Sequence, residues 1–252
     1  MCSLLLVSAC ATQPLTVTRE PAVLHIVASD VCGPALEELA LVYQESHPWA
    51  TVSVETFDAA VAEERLRAGM ADLGALSWLT DEPTPLWSIP FATDTIVVVV
   101  HPDVPITGLG RAELQAVFRG RIGEWSDGTP IQLISREEGA GSRAIFERAV
   151  MDGYDISLTA LVVPDNAGVL DAVASSPGAI GYLSSGWLSD QVRALSIDGI
   201  TATLIQVDAN PFSYPLLLCA RSDPAGEGRT FSQWLLGPAA QQHLTRRFGA
   251  PP

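Results

Sequence analysis

The chain has 252 residues, of which 48% are hydrophobic and 17% charged, so it has enough apolar material for a folded core and too little charge for disorder. It carries 29 acidic and 14 basic side chains, for a formal charge of −15, and every basic one is arginine. This composition argues against nucleic-acid binding, and the absence of lysine excludes a P-loop and Schiff-base chemistry.

The first predicted element is a lipoprotein signal at the N-terminus. The sequence runs from apolar into small residues, and Val7-Ser8-Ala9-Cys10 resembles a lipobox. We therefore expect residues 1–21 to be signal and linker, with Cys10 lipidated and the chain anchored on the extracytoplasmic face of a membrane. The alternative is an ordinary N-terminus in which Cys2 and Cys10 are incidental.

Predicted strands and helices alternate along the rest of the chain. The patterns predict strands at residues 24–29, 51–57, 71–77, 96–100, 131–135, 160–163, 179–184 and 214–221. They predict helices at residues 34–43, 59–69, 111–118, 143–150, 167–174, 230–236 and 239–245. This alternation indicates an α/β protein with a mostly parallel sheet flanked by helices.

The most informative motif lies at residues 134–147. A predicted strand ends at Arg136, and the turn from Gly139 to Ser142 opens a helix. The first-turn N–H groups of a helix favour an anion, and the planar guanidinium of arginine matches two oxygens of a tetrahedral oxyanion. The pattern thus predicts an anion site, the alternative being an ordinary helix start with Ser142 as its N-cap.

This segment resembles the R-x-x-G-S-G-T-R-x-x-F-E signature of phosphate-specific ABC-transporter substrate-binding proteins. Further matches follow in that family's order at residues 28–34, 71–77, 114–125, 179–184 and 214–216. The resemblance implies a two-lobe, periplasmic-binding-protein-like clamshell with a double crossover hinge. Lobe I would comprise residues 22–94 and 213–252, lobe II would comprise residues 95–212, and the ligand would lie between them.

The resemblance also implies the ligand-binding residues. They are Ser29, Asp30, Val31, Ser77, Arg136, Gly139, Ala140, Gly141 and Ser142. Three positions depart from the family: residues 56–62 lack the glycines and serine of a Gly-Ser-Gly loop, Ala140 replaces a serine, and Asp30 replaces a threonine. Asp30 is either the N-cap of the first helix, which we favour, or an acceptor that selects a protonated oxyanion.

The family predicts a monomeric, non-enzymatic protein without metal or cofactor, which passes phosphate to an ABC-transporter permease. The departures leave open molybdate, tungstate or another ligand, and also a degenerate protein that acts as a sensor. A serine hydrolase that uses Ser142 is disfavoured because no base is evident in the sequence. Cys32 and Cys219 fall in the same predicted lobe, where they either pair or remain two buried thiols.

Overall fold

The computed structural model describes residues 19–80, 83–201 and 210–252, so the predicted lipidation site Cys10 lies outside the described residues. The strands are β1 Ala22–Ser29, β2 Ala50–Phe57, β3 Leu73–Leu76, β4 Trp87–Val100, β5 Gly108–Leu109, β6 Gln132–Arg136, β7 Leu161–Val163, β8 Ala179–Ser184, β9 Arg193–Ala194, β10 Ser196–Ile197, β11 Ile200–Thr201 and β12 Ser213–Ala220. The α-helices are α1 Gly33–Ser46, α2 Ala59–Arg67, α3 Arg111–Phe118, α4 Gly141–Phe146, α5 Asn166–Ser175, α6 Gly226–Leu235 and α7 Pro238–Leu244. A π-helical turn, Glu147–Met151, continues α4, and a 3-10 turn, Ser185–Trp187, follows β8.

The main sheet has the strand order β2-β1-β3-β12-β4-β8-β6-β7, with β9 added beside β4. Its outer pairs are parallel, namely β1 with β2 and β3, and β6 with β7 and β8. The central pairs are antiparallel, namely β12 with β3 and β4, and β4 with β8. A small second sheet has the order β11-β10-β5. The predicted α/β fold is confirmed, with two parallel halves joined by antiparallel strands.

Strand β4 connects the two halves and is much longer than predicted. The sequence predicted a strand only at residues 96–100, whereas β4 has 14 residues and starts at Trp87. Its first part pairs with β12 and its last part with β8. The predicted lobe boundaries at 94/95 and 212/213 remain predictions.

Helix α1 illustrates how the sequence pattern sets the packing. Leu36, Leu39 and Tyr43 recur at helical spacing, and all three are buried against the sheet. The helix ends at Ser46, just before His47-Pro48, since proline disfavours the helical conformation of the residue that precedes it. Throughout the described ranges, no helix is both long and apolar enough to cross a membrane.

Cys32 and Cys219 are separate thiols, and both are buried. Burial raises the pKa of Cys219 to about 12, and it also raises the pKa of Cys32 well above that of an ordinary thiol. Of the two alternatives that the sequence left open, the structure has the unpaired one.

Candidate anion site between the two halves of the sheet

Arg136, the last residue of β6, is the centre of the candidate site and is fully buried. All five N–H donors of its guanidinium are used by six protein acceptors, because three acceptors share the two N–H groups of Nη2. Its Nη1 donates to Asp30 Oδ2 at 2.8 Å and Ser142 Oγ at 3.2 Å; its Nη2 donates to Asp58 Oδ1 at 3.1 Å, Glu137 Oε1 at 3.2 Å and the Pro164 carbonyl at 2.8 Å; and its Nε donates to the Val163 carbonyl at 3.2 Å. Three carboxylates thus surround one cation.

Asp30 follows β1 and is held from the opposite half of the sheet. Besides Arg136, it accepts a hydrogen bond from Asn166 Nδ2 at 2.7 Å, and Asn166 Oδ1 in turn accepts from the Ser184 N–H at 3.0 Å. Burial raises the pKa of Asp30, while Arg136 opposes that shift. The prediction that Asp30 caps α1 is wrong. Cys32 occupies the N-cap, and within the described chain no side chain caps that helix.

The side chain of Asp30 makes charge-assisted hydrogen bonds instead of capping the helix. A buried carboxylate left without its cation costs several kcal/mol, whereas an N-cap contributes roughly 1 kcal/mol. Since Asp30 is nearly enclosed and Arg136 lies beside it, the ion pair is the stronger interaction.

Asp58 stands immediately before α2 and has the extended backbone of an N-cap residue, with φ −62° and ψ 153°. Among the described residues its side chain makes no capping hydrogen bond and reaches Arg136 instead. Burial and the neighbouring carboxylate of Glu137 raise the pKa of Asp58 to about 6, against the attraction of Arg136. Asp58 therefore takes up a proton at a higher pH than an ordinary aspartate does.

The glycines of the 139–142 turn allow it to approach α2 and the end of β3 closely. Gly139 has φ +92°, and its carbonyl accepts from the Ala60 N–H at 3.1 Å. A Cβ on Gly141 would lie 2.2 Å from Ser77 Oγ and 3.1 Å from Ala59 Cβ. The two halves are thus in direct contact at this turn.

Ser142 binds Arg136 through its hydroxyl and does not cap α4. The N-cap is Ala140, so the interpretation of Ser142 as a helix cap is wrong. The reason is that the helix begins two residues earlier than predicted, at Gly141, and the Ser142 side chain is buried beside Arg136.

The remaining predicted residues lie around this centre. Ser29 Oγ accepts a hydrogen bond from the Ser77 N–H at 3.2 Å. Ser77 Oγ is buried and has no hydrogen-bond partner in the part of the chain that the structure describes. Val31 and Ala140 are buried and offer only backbone groups for polar contacts.

Sequence reasoning missed three side chains at the site: Asp58, Glu137 and Asn166. The signal for Asp58 was an acidic residue where the related family has a Gly-Ser-Gly loop. Asn166, at the start of α5, had no distinctive signal, because its position after a strand is typical of any helix start.

Another hydrogen-bonded carboxylate, Asp94, lies where β4 pairs with β12. Asp94 is fully buried, and it accepts hydrogen bonds from Ser185 Oγ at 2.7 Å and from the hydroxyl of Tyr214. Burial raises the pKa of Asp94. Beside it, Thr95 and Ser213 join their hydroxyls at 2.9 Å. These contacts connect β4, β12 and the turn after β8.

Comparisons with known proteins give consistent relatives. A family model described as a PBP superfamily domain matches residues 16–239. The phosphate-binding protein PstS of Bacillus subtilis (strain 168) is 26% identical over 214 residues, which cover 81% of this chain and 70% of that protein. An ABC-type phosphate transport receptor from Vibrio cholerae superposes with a TM-score of 0.77 at 26% identity, covering 90% of this chain and 100% of that one. A putative phosphate ABC transporter substrate-binding protein from Clostridium perfringens, solved with bound phosphate, superposes with a TM-score of 0.84 at 22% identity, over 91% and 99% of the chains.

Proposed function

This chain belongs to the PBP superfamily, and we propose that it is a non-enzymatic substrate-binding protein that holds a small oxyanion, phosphate first, between two lobes. In this proposal it passes the anion to an ABC-type permease and works as a monomer outside the cytoplasm, anchored through lipid on Cys10. The proposed lobes are residues 22–94 with 213–252, and residues 95–212.

The observation that carries the proposal is the buried guanidinium of Arg136 at the interface between the two halves of the sheet. Arginine presents planar donors that suit tetrahedral oxyanions. The hydroxyl of Ser142 lies 3.2 Å from it, and the buried hydroxyl of Ser77 has no partner among the described residues. The relatives from B. subtilis and V. cholerae are named as a phosphate-binding protein and a phosphate transport receptor, which supports phosphate as the first candidate.

A second candidate function is that of a degenerate lipoprotein of the same fold, which acts as a sensor or binds a different small ligand, such as molybdate or tungstate. The specific observation in its favour is that protein groups already use every donor of Arg136. Any tetrahedral oxyanion has to displace some of these partners, so it binds more weakly than at a site with free donors, which favours a chain that has lost the transport role.

Thermal unfolding distinguishes the two functions. The soluble form, which begins at Ala11, is freed of bound anion and heated with phosphate, sulfate, molybdate, tungstate or no addition. A ligand at 100 times its Kd stabilises by about 2.7 kcal/mol, which for a chain of this size raises Tm by roughly 5 to 11 °C. A shift with phosphate alone supports the first function, a shift with molybdate or tungstate alone supports the second, and the absence of any shift contradicts oxyanion binding.

The matched control pair is Arg136→Met and Arg121→Met. Both remove one positive charge, but Arg121 is exposed and lies in the loop after α3. The proposal predicts that the first substitution abolishes the ligand-induced shift and that the second preserves it. If Arg136→Met retains the full shift, the anion is bound elsewhere.

A further inference from the structure

The charge around Arg136 is unfavourable for an incoming anion. Asp30, Asp58 and Glu137 all accept hydrogen bonds from its guanidinium, so the group carries a net charge of −2 when all three are ionised. Like charges at such distances repel strongly away from bulk water. The described structure also leaves Arg136 no unused donor, so an oxyanion can bind it only in exchange for an existing partner.

The three carboxylates differ in how easily they can leave. The Asp30 side chain is 9% exposed and is also held by Asn166, so it is fixed on two sides. The Asp58 side chain is 24% exposed, and within the described residues its carboxylate accepts a hydrogen bond from Arg136 and lies beside the Glu137 carboxylate. The Glu137 side chain is 31% exposed, but it follows Arg136 in the same half of the sheet, so separation of the two halves does not take it away from Arg136.

Asp58 also lies on the other half of the sheet from Arg136. It precedes α2, which packs against β1 and β3, whereas Arg136 ends β6. Separation of the two halves therefore removes Asp58 from Nη2 of Arg136 and opens the position that its carboxylate held there, beside the Glu137 carboxylate and the Pro164 carbonyl. The Asp58 carboxylate presents one oxygen to Nη2 at 3.1 Å, which is the contact that an oxyanion oxygen would make there.

We propose that Asp58 determines the oxyanion affinity of this site, because its carboxylate takes the place of a ligand oxygen on Arg136 and must give it up when an anion binds. This inference rests on the proposed function and adds a competing group within the same site.

Anion binding should then strengthen as the solution becomes more acidic. The charged groups that face Asp58 are Arg136, Glu137 and Asp30. Protonation of Asp58 weakens its hold on Arg136 and removes one negative charge from the site. With a pKa of about 6 for Asp58, the gain develops as the pH falls through 6.

The experiment is calorimetric titration of the soluble form with inorganic phosphate at pH 7.5 and pH 5.0. Asp58→Asn keeps the size of the side chain but removes its charge, and we expect it to bind phosphate about tenfold more tightly than the unmodified protein at pH 7.5. At pH 5.0, where Asp58 is largely protonated, this ratio should fall to about twofold or less. The ratio of the two affinities reports on Asp58 alone, because at a given pH the protonation state of phosphate is the same for the variant and the unmodified protein.

Two further variants complete the design. Glu138→Gln removes a charge from the same loop as Arg136, but its side chain is 93% exposed, so phosphate affinity should stay within about twofold. Asp58→Ser removes the same carboxylate with a different side chain and should also tighten binding, which keeps the idea testable if Asp58→Asn folds poorly.

The outcomes separate the inference from the proposed function. Tighter binding by Asp58→Asn supports both, even if the unmodified protein binds too weakly to measure. If the unmodified protein binds phosphate and Asp58→Asn binds equally or more weakly, Asp58 is a ligand group or a bystander, and the inference is overturned while the function stands. If no variant binds phosphate, sulfate, molybdate or tungstate at either pH, the proposed function fails and the inference fails with it.

Discussion

Replacement of Arg136 by methionine tests the ion pair at the centre of the site. The substitution keeps an unbranched side chain but removes the cation that faces Asp30, Asp58 and Glu137. Loss of one partner of a buried ion pair typically costs about 3 to 5 kcal/mol. For a chain of this size that corresponds to a fall in Tm of roughly 6 to 20 °C.

A double-mutant cycle assigns this loss to a specific partner. Asp30→Asn removes the charge of the most buried of the three carboxylates around Arg136, and the double variant contains neither charge of that pair. If the pair at 2.8 Å stabilises the fold, the double variant is less destabilised than the sum of the single variants by about 1 to 3 kcal/mol. Urea unfolding at pH 7, followed by tryptophan fluorescence and circular dichroism, measures each free energy of unfolding.

Additivity would refute the reasoning. If the double variant equals the sum of the single variants within about 0.5 kcal/mol, Asp30 and Arg136 do not stabilise one another in solution. The pH provides an independent check. Because Arg136→Met leaves carboxylates with raised pKa values in the folded state, the variant should lose stability as the pH rises from 5 to 8.

Three further predictions concern single groups. The folded-state pKa of Asp58 is about 6, above the ordinary value of about 3.9, so the unmodified protein should lose stability as the pH rises from about 4 through 6, and Asp58→Asn should flatten that slope in urea unfolding. Tyr214→Phe removes a donor from buried Asp94 and should lower the free energy of unfolding by about 1.5 to 3 kcal/mol, measured in the same way; a neutral effect would contradict the hydrogen bond. In the soluble form Cys32 and Cys219 should resist Ellman's reagent when folded and yield both thiols after denaturation, whereas absence of thiols after denaturation would indicate a disulfide.

The sequence patterns predicted the order of strands and helices well because each element carries its own signal. The β-branched residues of β1 and the helical spacing of Leu36, Leu39 and Tyr43 are local features. The start of β4 had no such signal. Pro90 and the polar residues 93–95 are typical of a loop, and they form a strand here because β12 pairs with them from more than 100 residues further along the chain.

The pairing of β4 with β12 explains how a proline lies inside a central strand. Leu216 pairs with Ala92 and Leu217 with Pro90, so Phe91 is the extra residue of a bulge. A bulge interrupts the regular ladder where proline cannot donate. This accommodation depends on the partner strand, so it was not visible from residues 87–95 alone.

In the candidate site, too, the sequence revealed the features that lie within one segment and did not reveal the contacts between distant segments. Arg136 and Ser142 were predicted because a strand end, a glycine turn and a helix start lie within one segment. Asp30 is 106 residues from Arg136 and Asp58 is 78 residues from it, so their contacts depend on how the two halves of the sheet meet. Both aspartates lie near the start of a helix, where the local interpretation is an N-cap, and in both the interaction with a buried cation is stronger than capping.

The occupied donors of Arg136 change what its presence implies about affinity. In a site with free donors, an oxyanion exchanges only water for the guanidinium. Here it also has to replace the contact of Nη2 with Asp58, so the observed affinity is the difference between two sets of charge-assisted hydrogen bonds, each worth about 1.5 to 3 kcal/mol per bond. A residual imbalance of 1.4 kcal/mol between the sets changes Kd tenfold. The motif around Arg136 therefore indicates which ligand class can bind, while the carboxylates from the opposite half of the sheet determine at what concentration and pH it does.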